Sequence, residues 1–145
     1  YGITGMQRFI GIHDDGETLT LDSGLKLQFV PAHFLHSPGQ INVYDPISKI
    51  LFSGDVGASE VPTDNCEVFI EDFNAHLPHT AGFHKRYMAS NRALRYWVQQ
   101  VRKLDIDIIA PQHGPLYRGQ AKEDFLNWLY DLPCGADLLD VQEND

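Results

Sequence analysis

The 145-residue sequence is poor in cysteine, in basic side chains and in long apolar stretches, and each shortage argues against a class of protein. Its two cysteines, Cys66 and Cys134, lie far apart with no second Cys or His at metal-finger spacing, so they fit free thiols in a reducing cytoplasm. Eleven Lys and Arg against 20 Asp and Glu give a net charge of −9, which argues against nucleic acid as a partner. No apolar run approaches the ~20 residues that cross a bilayer, so we expect no membrane segment. We therefore expect a cytoplasmic globular domain.

The start of the sequence also lacks two features. No basic region followed by an apolar stretch is visible, so the sequence predicts no signal peptide. Tyr1 is not an initiator methionine, and it fits the cut edge of a longer chain as well as a true start. The length suits one hydrophobic core or part of one.

Short apolar stretches between turn residues predict an antiparallel sheet. Leu25, Leu27 and Phe29 alternate with other residues, which predicts that they share one buried face. The sequences around Gly16 and Gly24 predict tight turns, because Asp and Gly tolerate the positive φ that hairpins need. The predicted strands cover residues 8–12, 18–21, 25–30, 41–44, 49–52 and 107–110.

The remaining chain predicts two helices and one long loop. Apolar residues at helical spacing indicate a helix over residues 84–104 and another over 120–132. Residues 57–83 show no sustained period, which is typical of a lid-like loop, and Pro78 argues against a regular helix within it. Residues 134–145 are expected to form an acidic tail.

Three side chains that can bind metal stand just past predicted strands: His36, Asp55 and His113. Because a sheet fixes the spacing of its strand ends, such residues can converge on one site. Imidazole and carboxylate together suit Zn²⁺, Fe²⁺ or Mn²⁺. The alternative is that all three are ordinary loop residues, with the two histidines and the aspartate serving only their local turns.

The segments around these residues resemble the ligand segments of the metallo-β-lactamase superfamily. They are His36-Ser37-Pro38-Gly39, Phe52-Ser53-Gly54-Asp55 and Gln112-His113-Gly114. In sequence, these segments are most similar to those of the flavodiiron proteins and the related oxygen-binding diiron proteins, and the resemblance covers residues 25–117. The resemblance implies that His36 and His113 are metal ligands and that the Asp55 carboxylate bridges two metal ions.

The resemblance also implies a fold and a set of partners. The first-half motif of the superfamily, His-x-Glu-x-Asp, is absent before His36. We therefore expect an α+β chain that forms the C-terminal half of a metallo-β-lactamase-like αββα sandwich over residues 1–145, with an antiparallel sheet and helices on one face. The missing N-terminal half, carrying the other ligands, is the expected partner, because a site built from this chain alone would be open and weak. A homo-oligomer is also expected, and an electron-donor protein is a further candidate partner.

The resemblance implies a non-haem centre of two iron ions that binds or reduces dioxygen or nitric oxide. Two alternatives stay open. One is a dinuclear zinc hydrolase of the same fold, in which two zinc ions activate a bridging hydroxide. The other is an oxygen or redox sensor domain that binds oxygen without turnover.

Four other histidines have less certain roles in the sequence. His33 is expected to support the site by a hydrogen bond more than to ligate directly. His76 and His79 are expected to line the pocket from the lid-like loop, the alternative being exposed loop residues. His84, together with Tyr87, could reach the mouth of the site, although capping and core packing explain these two residues equally well.

Overall fold

The computed structural model describes residues 11–62 and 67–140. They form a mixed six-stranded sheet in the order β1-β2-β3-β4-β5-β6, with three α-helices and a short 3₁₀ helix. The strands are β1 (Glu17–Thr20), β2 (Lys26–Pro31), β3 (Ile41–Asp45), β4 (Ile50–Gly54), β5 (Ile108–Pro111) and β6 (Tyr117–Arg118). The helices are α1 (Phe73–Tyr87), α2 (Asn91–Val101) and α3 (Gly119–Asp131), and the 3₁₀ helix is Gly135–Leu138.

One face of the sheet packs against the helices to form the core. Alternate residues of β4, Leu51 and Ser53, are fully buried on this side. The helices contribute buried apolar side chains, including Trp97 of α2 and Phe125 of α3. The Trp97 indole N–H donates to the Asn42 side-chain oxygen at 2.7 Å, so these two buried polar groups are paired.

The opposite face of the sheet is apolar and open. Phe29, Val43, Phe52 and Ala110 are neighbours across four strands, and Phe52 keeps 50% of its surface exposed. Leu27 and Phe29 share this face, as their alternation predicts, but they are only partly buried. The α+β prediction with helices on one face of the sheet is therefore confirmed, and the face without helices is left half-covered.

The predicted strands agree with the structure within one or two residues, with three differences. The short β6 is missed, no strand begins at Gly11 or Ile12, and residues 8–10 of the first predicted strand lie outside the described residues. The sheet, predicted as antiparallel, is mixed, because β4 and β5 run parallel while the other four pairs are antiparallel. A parallel pair needs a long crossover, and the chain between β4 and β5 supplies one that contains α1 and α2.

The region predicted as one helix over 84–104 contains the end of α1 and the whole of α2. The loop predicted over 57–83 ends before Phe73, where α1 begins. The chain becomes helical at Phe73, where the Asp72 side chain accepts hydrogen bonds from the Asn74 and Ala75 backbone N–H groups. Pro78 lies inside α1, where its missing backbone N–H removes one helical hydrogen bond. The burial of Phe73, Thr80 and other α1 side chains offsets this loss.

The second difference is the break between α1 and α2. Met88 has an extended backbone, and Ser90 caps α2 by accepting from the Ala93 N–H. The apolar spacing continues across this break, which is why the sequence predicts one helix. The expected acidic tail contains the short 3₁₀ helix, and residues 141–145 lie outside the described residues. Within the described part of the chain, no helix has the length and apolar character needed to cross a membrane.

Candidate metal centre

The parallel pair of strands brings Asp55 and His113 together. Asp55 directly follows β4, and His113 comes two residues after β5 ends. The Gln112 N–H donates to the Gly54 carbonyl at 2.7 Å, which joins the two strand ends. As a result, the His113 Nε2 atom lies 3.8 Å from the Asp55 Oδ1 atom, and the side chains are 64% and 25% exposed, respectively. Both donor groups are thus accessible at one edge of the sheet.

The loops that carry Asp55 and His113 are also joined further along. The Ser59 N–H donates to the His113 carbonyl at 3.2 Å. Gly114 has φ of +92°, and a Cβ at this position would collide with the Ser59 hydroxyl. A glycine is therefore required directly after His113 for the two loops to approach this closely.

His36 lies in a different setting, on the turn between β2 and β3. Phe34 and His36 both have positive φ, of 65° and 82°, which is uncommon for residues with large side chains. The exposed His36 ring packs edge-on against Phe83 and Tyr87, with ring centroids 5.7 and 5.4 Å apart. Over residues 11–62 and 67–140, no three His, Cys, Asp or Glu side chains form a group that could hold a metal ion. The structure thus brings together two of the three predicted ligands.

For His84, the sequence left open a place at the mouth of the site or in the core, and the structure places it in the core beside the Asp55 loop. It is fully buried, its Nε2 atom accepts from the Gly57 N–H at 2.9 Å, and its Nδ1 atom lies 2.8 Å from the Thr80 carbonyl. Burial lowers the pKa of His84 to about 4, so the ring is neutral at physiological pH. A neutral ring with its proton on Nδ1 satisfies both hydrogen bonds at once.

Thr80 and Tyr117 hold the same loop. The Thr80 hydroxyl donates to the Ala58 carbonyl at 2.9 Å, and the Tyr117 hydroxyl donates to the Gly57 carbonyl at 2.9 Å. Burial raises the pKa of the Tyr117 hydroxyl, so it stays protonated as a donor. One sequence pattern could have indicated that Thr80 and His84 are buried together. His76, Thr80 and His84 lie four residues apart, which is helical spacing, and all three are buried on α1.

The other predicted roles have different outcomes. His33 lies 3.3 Å from the Asp14 carboxylate, but neither of its ring nitrogens makes a hydrogen bond in the described structure. His76 and His79 lie on α1, against the prediction of a loop, and they line a cavity of about 510 Å³ that Pro115 also lines. The His79 Nδ1 atom is 2.9 Å from the Glu60 carbonyl. None of His36, Asp55 and His113 lines this cavity, so the expected lining of the metal pocket by His76 and His79 stays a prediction.

The donor chemistry of the Asp55 and His113 pair suits a metal such as iron or zinc. A carboxylate oxygen and an imidazole nitrogen face each other at 3.8 Å, and both belong to the ligand types that these metals accept. The hydrogen-bonded loops hold the two groups near each other without a metal. The residues present therefore fit a metal ion, although one pair of side chains falls short of a complete ligand set.

Comparison with known sequences gives consistent matches. The family model described as "ODP family beta lactamase" matches residues 1–114. Diflavin flavoprotein A 1 of Synechocystis sp. is 31% identical over 120 residues, which cover 78% of this chain and 20% of that protein. A putative diflavin flavoprotein A 1 of Nostoc sp. is 31% identical over 117 residues and is covered to the same 20%. The chain thus spans about a fifth of the length of these relatives.

Solved structures give the same picture of the fold. A structure of a peroxy diiron species of the chemotaxis sensor ODP superposes with a TM-score of 0.84 at 48% identity, covering 94% of this chain and 57% of that one. The apo state of the chemotaxis sensor ODP from T. denticola gives 0.81 at 48% identity, with 89% and 54% coverage. The Flv1 flavodiiron core of Synechocystis sp. gives 0.65 at 26% identity, with 78% and 28% coverage. The architecture is metallo-β-lactamase-like and related to flavodiiron proteins, and it covers part of each of these chains.

Proposed function

The chain belongs to the ODP family of beta-lactamases, and from this premise we propose that it is part of a non-haem diiron domain that binds or reduces dioxygen. The observation that carries the proposal is the 3.8 Å approach of Asp55 and His113 at the ends of adjacent parallel strands. Identity of 48% with a chemotaxis sensor whose diiron centre has been described supports the choice of metal and of oxygen. The relation to flavodiiron proteins supports the same chemistry.

The proposed ligand roles rest on the resemblance of the three ligand segments, and the approach of Asp55 to His113 supports them. Asp55 has two carboxylate oxygens and would bridge two iron ions, while His113 would bind one of them. His36 would bind from its own turn, where Phe83 and Tyr87 cover one side of its ring. When bound in the ferrous state, the two iron ions would supply two electrons to dioxygen, and reduction to water would take two more from an outside electron donor. The residues of this chain would hold the metals in place.

A further part of the proposal concerns the domain. We propose that residues 1–145 form the C-terminal half of an αββα sandwich and that the open sheet face packs against the other half. The half-exposed Phe52 lies in the row of apolar residues that such a partner sheet would cover. The 57% coverage of the sensor chain supports the presence of additional chain in related proteins. That additional half would also supply the ligands that this chain lacks.

Anaerobic loading with iron tests the proposal on the full-length protein. We expect about two irons per chain by metal analysis and, after exposure to air, an absorption band that a zinc-loaded sample lacks. A spectral change that reverses on removal of oxygen would identify binding, and oxygen consumption with an added electron donor would identify reduction. Protein that binds only zinc and gives no band after iron loading would contradict the diiron function and favour a zinc hydrolase.

A further inference from the structure

We propose that His84 is a positioning residue for the ligand loop, defined as residues 55–59, and that it acts through the backbone N–H of Gly57. The metal readout of this inference rests on the proposed function. The anchoring itself is a property of the metal-free chain, because it is made of protein hydrogen bonds alone. His84 is on α1, outside the three predicted ligand segments.

The hydrogen bonds of His84 fix both the ring and the loop. Its Nδ1 atom lies 2.8 Å from the Thr80 carbonyl, so the N–H on this side donates to the helix backbone. The Nε2 atom then has a free lone pair, and it accepts from the Gly57 N–H at 2.9 Å. Edge-on contacts with Phe125 and Trp128, at centroid distances of 6.0 and 5.5 Å, hold the ring from its sides. The loop is therefore fixed to a ring that has little freedom to move.

Gly57 lies in the middle of the ligand loop, between Asp55 and the contact of Ser59 with His113. It follows Asp55 by two residues, and its backbone has φ of +101°. Its carbonyl accepts from the Tyr117 hydroxyl, so the peptide groups on both sides of Gly57 are held. At the other end of the loop, the Ser59 N–H donates to the His113 carbonyl. Displacement of Gly57 would therefore move Asp55 directly and His113 through Ser59.

If His84 only packs in the core, two substitutions of it should give one result, and if it positions the loop, they should give another. Leucine would fill much of the buried space but would leave the Gly57 N–H buried without an acceptor. Glutamine can place its side-chain oxygen near the position of Nε2 and accept the same hydrogen bond. If His84 only packs, an apolar side chain should serve as well as a polar one. If His84 positions the loop, only glutamine should restore it.

The experiment compares H84L, H84Q and the control V98A in the full-length protein. Val98 is fully buried on α2 and makes no side-chain hydrogen bond, so its truncation lowers stability without removing an anchor. In the metal-free protein, we expect H84L to speed amide exchange at residues 56–59 by about tenfold or more, because a buried hydrogen bond is lost locally. H84Q should stay close to wild type, and V98A should change exchange only in proportion to its global stability.

Cobalt(II) supplies the second readout, because its visible absorption reports the geometry of its ligands. We expect H84L to weaken cobalt binding by about tenfold and to alter the absorption bands, as substitutions of groups that orient metal ligands do. H84Q should restore the affinity and the spectrum. Equal effects of H84L and V98A, once matched for the free energy of unfolding, would overturn the positioning role.

The two proposals can fail separately. Wild-type protein that binds no cobalt would count against the metal centre, while the exchange rates would still decide whether His84 anchors the loop. If H84L does not fold, H84N takes its place, because its shorter side chain reaches the Thr80 side of the site and falls short of Gly57. Equal protection of residues 56–59 in H84N and H84Q would then contradict the inference.

Discussion

Acid should destabilise the metal-free protein through His84. In the folded chain, burial lowers the pKa of this histidine from 6.5 to about 4, so the native state disfavours the charged ring. Above pH 6.5 the ring is neutral in both states, and it adds no pH dependence to stability. Between pH 6.5 and 4 the unfolded chain binds a proton that the native chain does not, so stability falls as the pH falls. Below pH 4 both states are protonated and the loss levels off.

The size of this loss follows from the difference between the two pKa values. Each unit corresponds to about 1.4 kcal/mol, so the shift from 6.5 to about 4 corresponds to about 3 kcal/mol in the free energy of unfolding. Native domains are stable by roughly 5–15 kcal/mol, so this one residue would remove a large part of the total. The main physical cause is the burial of the ring, which disfavours its charged form, and a proton on Nε2 would also break the bond that this atom accepts from Gly57.

Urea unfolding of wild type and H84Q from pH 7 to pH 4 measures this effect. Glutamine does not titrate, so the difference in unfolding free energy between the two proteins isolates His84 from the other titrating groups. We expect that difference to change by about 3 kcal/mol, with wild type losing more stability toward low pH. Parallel pH profiles for the two proteins would refute the assignment of a buried neutral ring to His84.

Three further predictions concern the ligand loops and the open face. Replacing Gly114 by Ala should lower the free energy of unfolding by about 1–3 kcal/mol, because its φ is positive and a Cβ would collide with Ser59, and unchanged thermal unfolding would contradict this. D55A should lose more metal than H113A by metal analysis, because only a bridging carboxylate touches both ions; an equal or smaller loss would argue against bridging. F52K should disrupt folding of the full-length protein, because the proposed second sheet would bury the added charge; unchanged circular dichroism and gel filtration would contradict that proposal.

Much of the sheet could be predicted because its signals are local. Alternation places Leu27 and Phe29 on one face, and glycines mark the turns that separate the strands. The depth of burial could not be predicted in the same way, since it depends on what covers that face. Val30 of β2, which has the opposite orientation, is buried, with 3% of its surface exposed.

The sequence predicts that His36, Asp55 and His113 converge because each follows a strand, but it does not predict the parallel pairing that brings only Asp55 and His113 together. Asp55 and His113 follow neighbouring parallel strands, and hydrogen bonds between those strands fix their separation. His36 lies on a turn whose backbone is set by positive φ values and by contacts with α1. Such contacts are between residues far apart in the chain, and local sequence patterns do not report them.

The helix α1 is the element that the site prediction did not include, although it contacts or supports the predicted ligand segments. Its residues Phe83 and Tyr87 pack on the His36 ring, and His84 holds the loop that carries Asp55. Through that loop, α1 also supports His113, so one helix contacts or supports all three predicted ligand segments. The first part of α1 is not predicted from the sequence, because Pro78 argues against a helix there. In the folded chain, tertiary packing maintains the helix in spite of the proline. Candidate ligands could therefore be proposed from their own segments, whereas the helix that supports those segments is seen only in the folded chain.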